Sequence, residues 1–293
     1  MPSSDFPMSL SLEEAQQRVV SICKSRQLAI DTIPLQVAVG RVLAEDAHAS
    51  DDIPAFDNSA MDGFAVRGED LPCEGEARFQ VMETLLAGHV TQRVLGVGQC
   101  MRIMTGARMP NGADTVVIKE RVRVEANIAV IGAGERQGSN VRPRGEEMLA
   151  GQLAVGRGQR IRATHAFLLA SLGMDRVRVF RQPRASIIST GDELVMPGQS
   201  CSGAQIYNSN GFGLAALLGG AGAQLDRADE SPDGLPFRHV ADDREQLRCA
   251  LLDAARASEV VITSGGVSAG EADHLPGLVR ELGQVHFWKV RLR

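Results

Sequence analysis

The chain changes its rhythm once, and that change limits the folds open to it more than any other feature. Between Ile33 and Arg160, short β-type runs are broken by Gly, Pro and Asp: Leu35–Val37, Phe79–Glu83, Gln99–Met104, Thr115–Lys119, Arg121–Val124 and Ile128–Ile131. Short strands spaced in this way predict twisted antiparallel sheets rather than βαβ units. From Val177 onward strands and helices alternate, with strands over Val177–Phe180, Ala185–Ser189, Ala223–Arg227 and Glu259–Thr263. Alternation predicts a mostly parallel sheet with helices on both faces. The boundary falls near Gln182-Pro183, and 293 residues suit about two domains. The expected class is therefore α/β plus β-rich.

The helices carry their own signals. Ser11 and Glu14 form a capping box before Leu12, Ala15, Val19 and Ile22 at helical spacing, predicting a helix to about Arg26. Ala163–Leu172 reads as a helix ended by Gly173. Ser209 is expected to cap a helix to about Leu218. Asp242–Ala257 follows with Leu247, Leu251 and Ala254 facing inward, then a buried strand over Glu259–Thr263 and a helix over Ala272–Leu282. Val285–Arg293 is still strand-like where the sequence stops, which reads as a fragment or a shortened C-terminus.

Composition narrows the function classes. A formal charge of −5 provides no net basic field for nucleic acid. The apolar runs are too short to span a bilayer, and MPSSDFPMSL has no signal-peptide pattern, so a soluble cytoplasmic protein is expected. Five scattered cysteines without CxxC predict reduced thiols, and the histidines lack zinc spacing.

The stretch IPAFDNSAMDGFAV, Ile53 to Val66, brackets Asp57, Asn58, Ser59 and Asp62 between apolar ends. Neither helical nor strand periodicity organises its centre. Taken alone, Asp62-Gly63 reads as a hairpin turn. In the α/β part, ligands are expected beyond the carboxyl ends of the strands. Two loops sit there: Ser189-Thr190-Gly191-Asp192-Glu193, and Ser264-Gly265-Gly266-Val267-Ser268 followed by Gly270-Glu271-Ala272-Asp273. Paired glycines and hydroxyls suit an oxyanion. Carboxylates beside that cradle call for an intervening cation, and Mg²⁺ fits because it combines one or two carboxylates with phosphate oxygens and water. Thr105 ends another strand, and Arg144 lies in the mixed-charge run Asn140–Glu147. By composition the first is a solvated hairpin and the second a surface charge run.

Seven strings, IPAFDNSAMDGFAV, RIMTGARMPNGAD, NVRPRGEEM, STGDEL, QIYNSN, SGGVSAGEAD and VHFWKV, stand in the order and spacing of the molybdopterin molybdenumtransferases, from about Met8 to Arg293. The chain resembles these MoeA-type enzymes, whose animal version is the gephyrin E domain. The resemblance implies two small, largely β subdomains over residues 1–182, with an inserted β-rich part at about 51–145. A three-layer MoCF/MogA-like α/β domain is implied over 183–293, incomplete at its C-terminus and without the family's final β-barrel.

The implied reaction is Mg²⁺-dependent insertion of molybdate into adenylated molybdopterin with release of AMP. Carried over by motif, the catalytic positions are Asp62, Thr105, Glu193 and Asp273. Ser59, Arg144, Ser264, Gly265, Gly266, Ser268 and Lys289 would bind substrate, and Asp242 with Asp273 would hold the metal. An elongated homodimer is implied, in which the Asp62-bearing subdomain of one subunit meets the α/β domain of the other. The expected partners are the molybdopterin adenylyltransferase and molybdoenzyme-directed carriers.

Glu147 stands where the family has aspartate, and Asp229–His239 is longer than usual. The family's PGKP-type loop would follow Arg293, which stands where a second basic ligand residue is common. Two alternatives accompany the insertion reading. One is a non-catalytic molybdopterin-binding or scaffold fragment. The other is a different enzyme built on the same α/β domain, which the MDGFAV and RPRGEE strings disfavour.

Overall fold

The computed structural model describes residues 9–26, 28–226, 234–266 and 274–291. It divides into two compact units, one of residues 33–39 and 43–177, the other of residues 1–32, 40–42 and 178–293. The chain begins with helix α1, Leu12–Lys24, and the expected capping box closes it. Ser11 Oγ accepts from the Glu14 N–H at 3.2 Å, and the Ser11 N–H donates to Glu14 Oε2 at 2.7 Å. The expected apolar stripe is not covered by the chain: Ala15 is buried, while Leu12, Val19 and Ile22 stay exposed. Leu35–Val37 is a 3₁₀ turn rather than a strand. Pro34 fixes the entry, and the Ala38 N–H closes back on the Leu35 carbonyl.

The β-rich unit is built on six strands: β1 Gly63–Val66, β2 Glu76–Leu85, β3 Gln99–Ile103, β4 Thr115–Ile118, β5 Val122–Glu125 and β6 Ile128–Gly132. Their order in the sheet is β4-β1-β3-β2-β6-β5, antiparallel except where β2 meets β3. Side chains alternate across the sheet and build two cores. Phe64, Val66, Phe79, Cys100 and Val117 share one cluster, and Ala65, Met101, Ile103 and Val116 share the other. Helix α2, Ala163–Ser171, ends in a Schellman motif. Gly173 takes φ +75°, its N–H reaches the Ala170 carbonyl, and the Met174 N–H reaches the Leu169 carbonyl.

The second unit centres on β7, Arg184–Thr190, with three parallel partners. β8, Gln224–Leu225, pairs with its start and β9, Arg238–Val240, with its end, while β10, Val260–Ser264, runs beside Ala185–Ser189. Consecutive residues of β7 face opposite layers. Ile187 packs with Ala215 of helix α3, Ser209–Ala221. Ile188 packs with Leu247, Ala250 and Ala254 of α4, Arg244–Ala257, and with Leu278 of α5, Leu275–Leu282. This is the expected three-layer α/β arrangement.

Three local expectations are corrected. β8 is two residues long rather than five. β10 is half-buried, because among the described residues only β7 pairs with it. Residues 284–291 form no strand: Val290 makes one isolated bridge to Leu10. Among the described residues no helix is long and apolar enough to cross a membrane.

Cys100 is fully buried in β3, and burial pushes its thiol up to about 12, so its reactive thiolate is suppressed. The other four cysteines are exposed. Native protein should therefore release four equivalents with a thiol reagent and a fifth only on unfolding. Fast labelling of all five would contradict this packing.

Candidate functional site

In the β-rich unit, the register of three neighbouring strands assembles a polar cluster. Asp62 immediately precedes β1, Thr105 lies just past the end of β3, and Lys119 follows the last residue of β4. Gly63 opposes both Ile103 and Ile118, which brings the three together. Asp62 Oδ1 accepts from the Thr105 N–H at 3.0 Å and from Thr105 Oγ1 at 2.9 Å. Lys119 Nζ donates to Asp62 Oδ2 at 3.2 Å. The Thr105 backbone and hydroxyl donors, then the Lys119 ammonium, hold the Asp62 carboxyl down to about 2. The hairpin-turn reading of Asp62-Gly63 fails, since Gly63 begins a strand that pairs with β3 and β4. Glycine is required there for a different reason. A Cβ would lie 2.9 Å from the Val117 carbonyl carbon and closer still to its oxygen.

Ser59 and Arg144 belong to the same unit but are engaged elsewhere. Ser59 is fully buried, and its hydroxyl donates to the Met61 carbonyl at 2.5 Å, shaping the turn ahead of Asp62. The Arg144 guanidinium pairs with Asp52, and the Arg144 backbone N–H donates to Asp57 Oδ1 at 2.7 Å. The Ala150 N–H and then Arg144 hold the Asp52 carboxyl below its ordinary range.

In the α/β unit, the strand ends form an open pocket of about 120 Å³ lined by Thr190, Glu193, Asn208, Asn210, Ser264 and Gly265, among others. Thr190 Oγ1 donates to Asp242 Oδ1 at 2.7 Å, while the Asp242 N–H donates to Asp192 Oδ1 at 3.1 Å. Asn210 Nδ2 donates to Ser264 Oγ at 2.9 Å. Gly265, at φ +99°, lets the loop close on the Thr190 carbonyl, and Gly266 follows at φ +58°. The Glu193 carboxylate folds back against Gly191.

Asn208, not Ser209, caps α3. Its Oδ1 accepts from the Gly211 N–H at 3.1 Å, and Asn208 is 1% exposed. Asn208→Ala should cost about 1 kcal/mol, whereas Asn208→Ser, a good cap that buries no charge, should recover part of that loss. Equal melting of the two variants would deny Asn208 its capping role.

Lys289 is exposed, and its carbonyl accepts from the Leu10 N–H. Ser268 and Asp273 lie outside the described residues. Among the described residues no three Asp, Glu, His or Cys side chains converge as a metal site. The oxygen donors of Asp242 and Asp192, held together by reciprocal hydrogen bonds, nevertheless suit a hard cation that keeps several waters.

Two signals were missed from sequence. Lys119 sits opposite Asp62 only because β1 and β4 pair, and Thr190 reaches Asp242 only because β7 and β9 run parallel. The strand-end rule points to the Thr190 loop but not to its partner Asp242.

Residues 10–173 match the MoeA N-terminal region (domain I and II), and residues 186–293 match a probable molybdopterin binding domain. The molybdopterin molybdenumtransferase of Haemophilus influenzae is 33% identical over 97% of this chain and 68% of its own length. The chain belongs to the MoeA family. A Nostoc molybdopterin molybdenumtransferase is 36% identical over 90% of the chain and 59% of its own length. A solved MoeA molybdopterin biosynthesis protein from Pyrococcus horikoshii superposes with a TM-score of 0.74 at 30% identity, covering 94% of this chain and 67% of that one. This MoeA-family chain thus spans roughly three-fifths to two-thirds of the length of these relatives.

Proposed function

We propose that this chain acts in molybdenum cofactor biosynthesis by inserting molybdate into adenylated molybdopterin, with Mg²⁺ assisting and AMP released. The observation that supports this reading most is the Asp62–Thr105–Lys119 cluster, placed where the MDG and TGA strings meet. A carboxyl held near 2 is a weak base at neutral pH, so Asp62 orients and fixes charge rather than taking a proton. In the α/β unit, Thr190, Asn210, Ser264 and the Gly265 backbone would hold phosphate or pterin groups. Asp242, with Asp273, would hold Mg²⁺, which when bound neutralises charge on the adenylate phosphates. Glu193 would help orient the incoming oxyanion.

In this reading residues 1–182 form the N-terminal region and 183–293 the pterin-binding domain. The working form is a cytoplasmic homodimer supplied by the adenylyltransferase and serving molybdoenzyme carriers. The test is molybdate-dependent AMP release from adenylated molybdopterin by the purified chain, with molybdopterin binding measured in parallel. Tight binding without AMP release would replace the enzyme with the scaffold reading. Failure of both would remove the proposal.

A further inference from the structure

Lys119 has no assigned role, yet two separate contacts fix it on the carboxylate that the insertion reading places at work. Its N–H donates to the Asp62 carbonyl at 3.1 Å, continuing the β1–β4 ladder, and its Nζ donates to Asp62 Oδ2 at 3.2 Å. Backbone and side chain thus tie the same two residues. The Asp62 bond occupies one of the three ammonium donors, and the Lys119 side chain is 51% exposed. An isolated carboxylate repels a tetrahedral oxyanion. A carboxylate saturated on one oxygen by Thr105 and matched on the other by an ammonium does not present that barrier.

We infer that Lys119 cancels the charge of Asp62 and turns its remaining donors to a tetrahedral oxyanion of the molybdate class, acting as an oxyanion contact and as the positioning residue of Asp62. The inference rests on the insertion reading only for the identity of that oxyanion. Exposed ion pairs contribute little to stability, so a chain without Lys119 should fold normally. The loss should appear in binding instead. An ammonium is a compact point charge, and arginine replaces its charge but not its shape.

The experiment titrates sodium molybdate into the wild-type chain, Lys119→Met and Lys119→Arg by calorimetry at low ionic strength. The Asp62 carboxyl is followed in each by ¹³C NMR. Lys119→Met should bind molybdate roughly tenfold more weakly, and Lys119→Arg should recover most of the loss. The Asp62 midpoint should rise only part of the way from about 2 in Lys119→Met, because both Thr105 bonds remain, with only a small loss of melting temperature.

Equal affinity of Lys119→Met and wild type, or no molybdate binding by wild type, would overturn the inference. AMP release assayed on the same wild-type sample keeps the two readings apart. Turnover with an unaffected Lys119→Met sinks the Lys119 role alone. A Lys119-dependent affinity without turnover sinks the insertion reading and leaves the oxyanion contact standing.

Discussion

Gly63→Ala is expected to destabilise the β-rich unit by about 3 kcal/mol, the upper part of the usual range for overpacking. In a unit of this size that corresponds to a fall in melting temperature of roughly 6–12 °C. The added methyl would press on the Val117 carbonyl, which is backbone in the adjacent strand and cannot swing aside as a side chain would. Relief requires β1 and β4 to part. Their separation would break the register of Gly63 with Ile118 and carry Asp62 away from Lys119. Stability and site geometry should therefore fail together, with the Asp62 carboxyl returning toward its ordinary range. Gly132→Ala supplies the control, because Gly132 is also a strand glycine and a Cβ there meets nothing within 4 Å. If the two variants melted within a degree or two of each other, close strand approach would not be the reason for glycine at position 63.

Gly63 also shows what sequence could and could not disclose. The Asp62-Gly63 pair signalled a backbone constraint, but a tight turn and a close strand approach both demand glycine. Local chemistry was legible: the Ser11–Glu14 capping box needs only residues within one helical turn. The α3 cap was misplaced by one residue, because Asn208 and Ser209 are both good caps and only the Asn208 φ/ψ of −70°/78° decides between them. The triplet Leu35–Val37 is too short to carry a period, so its 3₁₀ turn was hidden. The three-layer class was readable from alternation alone, and Ile187 and Ile188 facing opposite layers agree with it. Lys119 was not readable, since its position beside Asp62 depends on pairing between strands about fifty residues apart in the chain.

Asp62→Asn should reduce molybdate-dependent AMP release about 10²-fold, the scale of a catalytic constellation displaced by an ångström. Asparagine can still accept both Thr105 bonds through Oδ1, but its amide then presents N–H groups to the Lys119 ammonium, so donor faces cation. The wild-type carboxyl sits near 2, below its usual 3.8, so it stays ionised throughout the working range and should add no limb to the activity profile above pH 4. The same shift fixes the sign for stability. A lowered folded pKa gives a contribution that is complete above 3.8 and lost as pH falls through about 2. The melting difference between wild type and Asp62→Asn should therefore be constant above pH 4 and shrink as pH approaches 2. A difference that instead vanished near pH 6 would mean that Asp62 gains a proton far more easily than three donors allow, and the fixed-charge role would then give way to proton transfer.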